Sequence, residues 1–377
     1  MVISCDVLVI GGGAVGGAIA YGAARHGAKV VLVDGADTDL RASRANFGLV
    51  WVQSKGASFP EYQRWTRLSA DLWAGFASEL QQSTGLSLHH RQTGGLSFCL
   101  GDEEFDAKRQ ALQRMHNLFG AGDYACKLLS RAELADRIPK ARLGPRVTGA
   151  AWSPHDGDVD PLMLMRALFE ALSMLGVTLL NGRPVDHFKP EGDGFVAQIG
   201  ERTVRAGKVV IAAGHGSTKL AAAVEIDAPL RAQRGQILVS ERIASFLPLP
   251  SDTIRQTQEG TVLIGSSQEN VGFDIGTTVS KTALMAQRAV AVFPDLASAT
   301  FVRAWAGLRI LTPDGAPIYA QSERYPGAFL AVCHSGVSLA AAHASIIAHG
   351  IVEGRLPEAV AAFGAARFEK VSHVQAP

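Results

Sequence analysis

The chain has 377 residues, with 36 Lys and Arg against 35 Asp and Glu, for a formal net charge of +1. That balance gives no electrostatic case for nucleic acid or an anionic membrane surface, since either asks for a clear basic excess. At 47% hydrophobic and 19% charged residues the composition excludes a disordered chain, and the length suits roughly two to three domains.

Cys5-Asp-Val-Leu-Val-Ile10 reads as a short buried strand, followed at once by Gly11-x-Gly13-x-x-Gly16. The first glycine permits a tight turn, the second lets backbone approach a pyrophosphate, and the third allows close helix–strand packing. The helix that opens there is predicted to reach His26 and stop at Gly27. A second strand over Lys29–Val33 ends at Asp34, 34 − 11 = 23 positions after the first glycine, where a carboxylate can accept both ribose hydroxyls of an adenosine. The alternative is a glycine-rich structural turn with Asp34 solvated at a strand end. The fingerprint leaves NAD and FAD open. Val7 to Ala24 carries no charge, but six glycines and the absence of a preceding basic segment favour strand, turn and helix over a membrane span or signal peptide.

Cys5, Cys99, Cys126 and Cys333 lie far apart with no Cys-x-x-Cys pair. A disulfide framework or a cluster held by this chain alone is not expected, and the compartment reads as reducing cytoplasm. Cys333 reads as a buried thiol. His89-His90 on a strand would face opposite sides, and His343 and His349 are six apart, so no metal site is expected.

Later glycine-marked segments add to the first. Val209–Gly214 is a buried strand ending in small residues, and Thr312-Pro-Asp-Gly315 is a turn by composition. Phe329–Cys333 reads as a strand, Ser335-Gly336 as a turn, and Val337–His349 as a helix ended by Gly350. The start of that helix offers a second helix N-terminus to a bound ligand; an ordinary packing helix is the alternative.

With these segments in order, the chain resembles the D-amino-acid oxidase family of FAD-dependent amine oxidoreductases. The resemblance rests on Gly11–Gly16 with Asp34, on Ala42-Ser-Arg-Ala-Asn46-Phe-Gly48, and on Asp158-Val-Asp160-Pro161 with Asp160 as a helix N-cap. Val209–Gly214, Arg234-Gly235-Gln236 and Gly307-Leu-Arg309 continue it. Ile310-Leu311 after the arginine and His334-Ser335-Gly336 depart from the usual pattern. Phe47–Gly56, Tyr62-Gln-Arg-Trp65 and Gly94–Leu100 look like the β subunit of heteromeric opine or D-hydroxyproline dehydrogenases.

The resemblance implies an α/β fold, a Rossmann-like FAD-binding domain (1–85, 140–220, 305–377) interleaved with an antiparallel-sheet, α+β substrate domain (86–139, 221–304). Alternating stretches such as Gln236-Ile-Leu-Val-Ser and Thr261-Val-Leu-Ile-Gly265 agree with it. It implies FAD contacts at Gly11, Gly13, Ala14, Val15, Gly16, Asp34 and Gly35. Ser43, Arg44, Asn46, Phe47 and Gly48 would follow, with Val185, Ala213 and Gly214, and then Gly307, Ser335, Gly336, Val337 and Ser338. Arg309 would clamp a substrate carboxylate, a structural ion pair being the alternative, and Arg303 is a second candidate. Trp51 and Lys55 would line the pocket, though Trp51 reads equally as core and Lys55 as solvated.

The function implied is oxidation of an amino or imino acid, such as octopine, nopaline or D-hydroxyproline, by hydride transfer to flavin N5. The chain would be the catalytic β subunit of a hetero-oligomer, with iron–sulfur clusters and an FMN in or at partner chains. Its place would be the cytoplasm, peripheral at the inner membrane through the electron acceptor. A single-chain glycine, sarcosine or D-amino-acid oxidase releasing peroxide, and a non-catalytic flavin-binding electron-transfer subunit, are the competing readings.

Overall fold

The structure is a computed structural model and describes residues 1–35 and 42–368. It opens with strand β1 (Val2–Ile10), helix α1 (Ala14–Arg25) and strand β2 (Val30–Val33). Helices α2 (Pro60–Thr84) and α3 (Pro161–Met174) follow, then strands β3 (Thr178–Leu180) and β4 (Arg202–Ile211). Next come β5 (Arg231–Arg242), β6 (Ile254–Gln256), β7 (Thr261–Ile264), β8 (Phe301–Leu311), β9 (Ile318–Gln321) and β10 (Ala328–Val332).

Among the described residues the main sheet runs β9-β10-β4-β1-β2-β3, and the hairpin His187–Glu191 and Gly194–Ile199 is added to β4. β1 pairs parallel to β4 and β2 along its apolar end. Val7, Leu8, Val9 and Ile10 are all buried because both faces of the sheet are covered. Val7 and Val9 pack with Ala18 and Ile19 of α1, while Leu8 and Ile10 join Val31, Val209 and Leu330 on the other face. Asp160 caps α3 as its sequence suggested, accepting from the Leu162 and Met163 backbone N–H groups at 2.8 and 3.0 Å.

A second, antiparallel sheet runs β6-β7-β5-β8 and contains both alternating stretches. A third joins Gly95–Leu100, Val147–Ser153 and Lys127–Ser130. Val147–Ser153 falls in a segment expected for the nucleotide-binding domain, yet it pairs with strands of the other. No helix among the described residues is long and apolar enough to cross a membrane.

The C-terminal helix differs from its predicted bounds. Residues 336–339 form turns, held by Leu339 N–H to the Ser335 carbonyl at 2.9 Å and Ala340 N–H to Val337 at 3.1 Å. Helical structure begins at Ala340, passes through a π-helical turn over His343–Ile347, and continues to Glu353. Gly350 therefore does not end the helix. It sits inside, where a Cβ would meet the Arg355 carbonyl at 2.6 Å and Pro357 at 2.8 Å, and Gly354 (φ +84°) takes the left-handed end.

Candidate functional site

Two cavities meet where the sheets face each other. The larger, about 820 Å³, lies over the C-terminal ends of β1, β2 and β4 and is lined by Gly11, Gly13, Asp34, Gly35, Ser43, Arg44, Val185, Ala213 and Gly214 among others. Open α/β sheets place ligands at these strand ends. The turn after β1 presents only backbone there, and Gly12 N–H donates to Asp34 Oδ1 at 3.0 Å, orienting the carboxylate. Ala14 N–H, at the start of α1, donates to Ser43 Oγ at 2.9 Å. An anion in the cleft would meet this helix end.

The second cavity, about 520 Å³, shares Ala42 and Ile310 with the first and lies beneath the antiparallel sheet. Asn46, Phe47, Trp51, Lys55, Gly307, Arg309, Ser335, Val337 and Ser338 line it together with His334, Gln233, Asp252 and Ser266. Thus Arg309 comes to one space with Trp51 and Lys55, far from it in sequence. Arg303 does not. It is exposed on the same strand, lies over the Trp305 ring at 5.8 Å, and is absent from the cavity lining. Gly48 lies one layer behind the lining, its N–H bonded to Asn46 Oδ1 at 2.7 Å.

Arg309 crosses β5 in a slot left by Gly235. Its Nη1 donates to the Ser267 carbonyl at 2.9 Å and its Nη2 to Ser266 Oγ at 2.7 Å. Among the described residues no carboxylate lies within ion-pair distance of it. Burial pushes its pKa down, as expected of a cation held out of water with no carboxylate beside it among the described residues.

The other wall is built from the loop after β2. Trp51 N–H donates to Ser338 Oγ at 3.0 Å, tying this loop to the turn after β10. Lys55 Nζ and Tyr62 Oη both donate to Ser335 Oγ at 2.8 Å. Beneath them lies Asp156, fully buried, which accepts from the Val52 N–H and from Gln53 Nε2 at 2.7 Å. Burial pushes its carboxyl up to about 7, partly offset by those hydrogen bonds. His334 is pushed down to about 3 by burial, with Lys55 and Arg309 adding to the effect, so its imidazole is neutral at physiological pH.

Sequence reasoning missed the residues that hold these walls in place. Arg255, buried, stacks over Phe47 at 5.7 Å, donates to the Phe47 carbonyl and reaches Asp158 at 3.5 Å. Asp158 is also gripped by Arg91 Nε and Nη2 at 3.0 and 2.7 Å. Arg234 pairs with Glu269 at 2.8 Å, which steadies the segment carrying Ser266 and Ser267. Arg234 and Asp158 stood in segments the resemblance singled out; Arg255 and Glu269 carried no local signal.

Residues 6–349 match the family model of FAD-dependent oxidoreductases of the D-amino-acid oxidase type. The chain belongs to this family. Among its curated relatives, the B-subunit of opine oxidase from Agrobacterium tumefaciens (strain Ach5) is 41% identical over 363 residues, covering 96% of this chain and 97% of that one. The corresponding opine oxidase B-subunit of Rhizobium meliloti is 40% identical over 364 residues, covering 97% and 98%. The crystal structure of glycine oxidase from Geobacillus kaustophilus superposes with a TM-score of 0.85 at 24% identity, covering 97% of this chain and 99% of that one, and shows the shared fold.

The protein is thus an FAD-dependent oxidoreductase, and the residues present fit that cofactor. The glycine-lined cleft with Asp34 at the strand end suits the adenosine and pyrophosphate half. The adjoining cavity beside Asn46, Phe47 and the 334–338 turn has room for the ring half and a substrate.

Proposed function

We propose that this chain is the catalytic β subunit of a hetero-oligomeric dehydrogenase that oxidises an amine α to a carboxylate, with an opine such as octopine or nopaline, or D-hydroxyproline, as substrate. The observation that carries the reading is Arg309: a largely buried guanidinium with no acid partner among the described residues, opening on the cavity that adjoins the nucleotide cleft. A planar guanidinium binds a carboxylate through a two-point fork and so fixes which face of the α-carbon is presented. Bound FAD supplies the two-electron acceptor for the hydride lost from that carbon. The 42–48 loop and Trp51 shape the wall that excludes water. Neutral His334 is too weak a base to take the amine proton at neutral pH, and serves as a hydrogen-bonding wall residue.

The relatives named as subunits of opine oxidases support a partnered enzyme. On this reading the partner chains carry iron–sulfur clusters and pass electrons onward in the cytoplasm or at the inner face of the membrane.

The test is a visible spectrum of the protein co-expressed with candidate partner chains, followed by anaerobic addition of octopine, nopaline, D-hydroxyproline and D-alanine. Bleaching of the flavin band by an opine or D-hydroxyproline, with little peroxide in air, is the expected result. Bleaching by D-alanine alone with fast peroxide release would replace the reading with a self-sufficient oxidase.

A further inference from the structure

The cavity that holds Arg309 also holds a second cation. Lys55 is partly buried, lines the same cavity, and among the described residues has no carboxylate within ion-pair distance. Its ammonium rests on Ser335 Oγ, which also accepts from Tyr62 Oη; Ser335 itself lies 3.4 Å from His334 Nδ1, an acceptor its own O–H would leave to meet a ligand. The pole formed by Lys55, Tyr62 and Ser335 is therefore rich in donors and poor in acceptors. Arg309 comes from the antiparallel sheet and Lys55 from the loop after β2, yet both lie close enough to His334 to act on its charge. A third cation, Arg231, is exposed at the rim. Asp252, the acid of this lining, accepts from Ser97 Oγ at 2.6 Å and is pushed by burial toward its neutral form.

A cavity so lined suits a ligand carrying two negative groups. We propose that Lys55, with Ser335, holds the second carboxylate of a substrate in which two carboxylates flank one secondary amine, while Arg309 holds the first. The inference rests on the functional reading above and deepens it by assigning Lys55 the choice among its substrates, for the two-carboxylate opines and against the one-carboxylate D-hydroxyproline. A monocarboxylate would leave the Lys55 ammonium partly desolvated with the Ser335 hydroxyl and, at 5.6 Å, the Tyr62 ring but no anion, so discrimination comes from this penalty as well as from the new contact.

The test uses the oxidised holoprotein and two five-carbon acids that cannot be dehydrogenated as amines. Glutarate matches the carboxylate–carbon–nitrogen–carbon–carboxylate span with a methylene in place of nitrogen; pentanoate lacks its second carboxylate. Binding is read from the perturbation of the flavin absorbance. Glutarate is expected to bind at least about tenfold more tightly than pentanoate. Lys55→Met should bring that ratio close to one, and Lys55→Arg should keep most of it. A wild-type ratio near one overturns the inference without recourse to a variant, as does a Lys55→Met protein that weakens both acids equally. Opine bleaching with no glutarate preference sinks this inference and leaves the functional reading standing. A Lys55-dependent preference in a protein that no opine bleaches does the reverse.

Discussion

The guanidinium of Arg309 occupies the space a side chain at Gly235 would fill: a Cβ built there lies 2.6 Å from both Nη1 and Nη2. Gly235 stands opposite Gly307 in the β5–β8 ladder, and Gln233 stands opposite Arg309. The slot is thus made by one residue and used by another 74 positions away (309 − 235 = 74). Gly235→Ala should push the guanidinium off its Ser266 and Ser267 anchors while the strands stay paired. Charge-assisted hydrogen bonds contribute about 1.5–3 kcal/mol, so KM for a carboxylate substrate is expected to rise roughly ten- to a hundredfold with FAD content unchanged. Steady-state kinetics beside a flavin-to-protein absorbance ratio checks it.

Replacing the arginine itself tests geometry apart from charge. Arg309→Lys keeps a cation but loses the planar fork. It is expected to lower kcat/KM at least about tenfold, and Arg309→Ala further. Unchanged turnover in the alanine variant would remove Arg309 from the substrate site and favour an electron-transfer subunit.

Arg303 shows why the sequence alone could not choose between the two arginines. Six residues apart on one strand, they share a face by parity, but six residues span about 20 Å of strand, and the cavity ends before Arg303. The nucleotide turn was legible because its chemistry is local: strand, glycines, helix and acid all fall within 34 residues. The Asp160 cap was legible for the same reason. The slot at Gly235, the Arg255 contact on Phe47 and the Asp156 support of the 51–55 loop depend on register between distant segments, and no local pattern encodes them. The misplaced helix end has a similar cause, since Gly350 answers to packing against Pro357 and not to the end of its own helix.

Asp34 is held by Gly12 N–H and lines the larger cavity. Asp34→Ala should weaken FAD binding by at least about tenfold, the scale of one or two hydrogen bonds to a charged acceptor. Titration of the apoprotein followed by flavin fluorescence measures this. An affinity within about twofold of the parent would place the adenosine ribose elsewhere.

Asp156 gives the fold a pH dependence whose sign follows from its burial. Its carboxyl is raised to about 7 in the folded state, against an unfolded value near ~4. Between those values the folded chain binds a proton the unfolded chain has lost, so this group's contribution makes stability fall as pH rises from about 4 to 7. The span is worth a few kcal/mol at most. Asp156→Asn should flatten the slope of Tm against pH in that window, and an unchanged slope would show that the carboxyl ionises in place.

The order of strands in the main sheet also sets a timetable for synthesis. β1 can pair with β2 soon after both leave the ribosome, but its other neighbour, β4, ends at residue 211. At about 5–20 residues per second that edge stays open for roughly 10–40 s. The Gly22 face of α1 waits longer still for the helix containing Ala344. The nascent N-terminal segment is thus an apolar strand with one bare edge until β4 has been made, and dependence on chaperones at high expression is the expected behaviour.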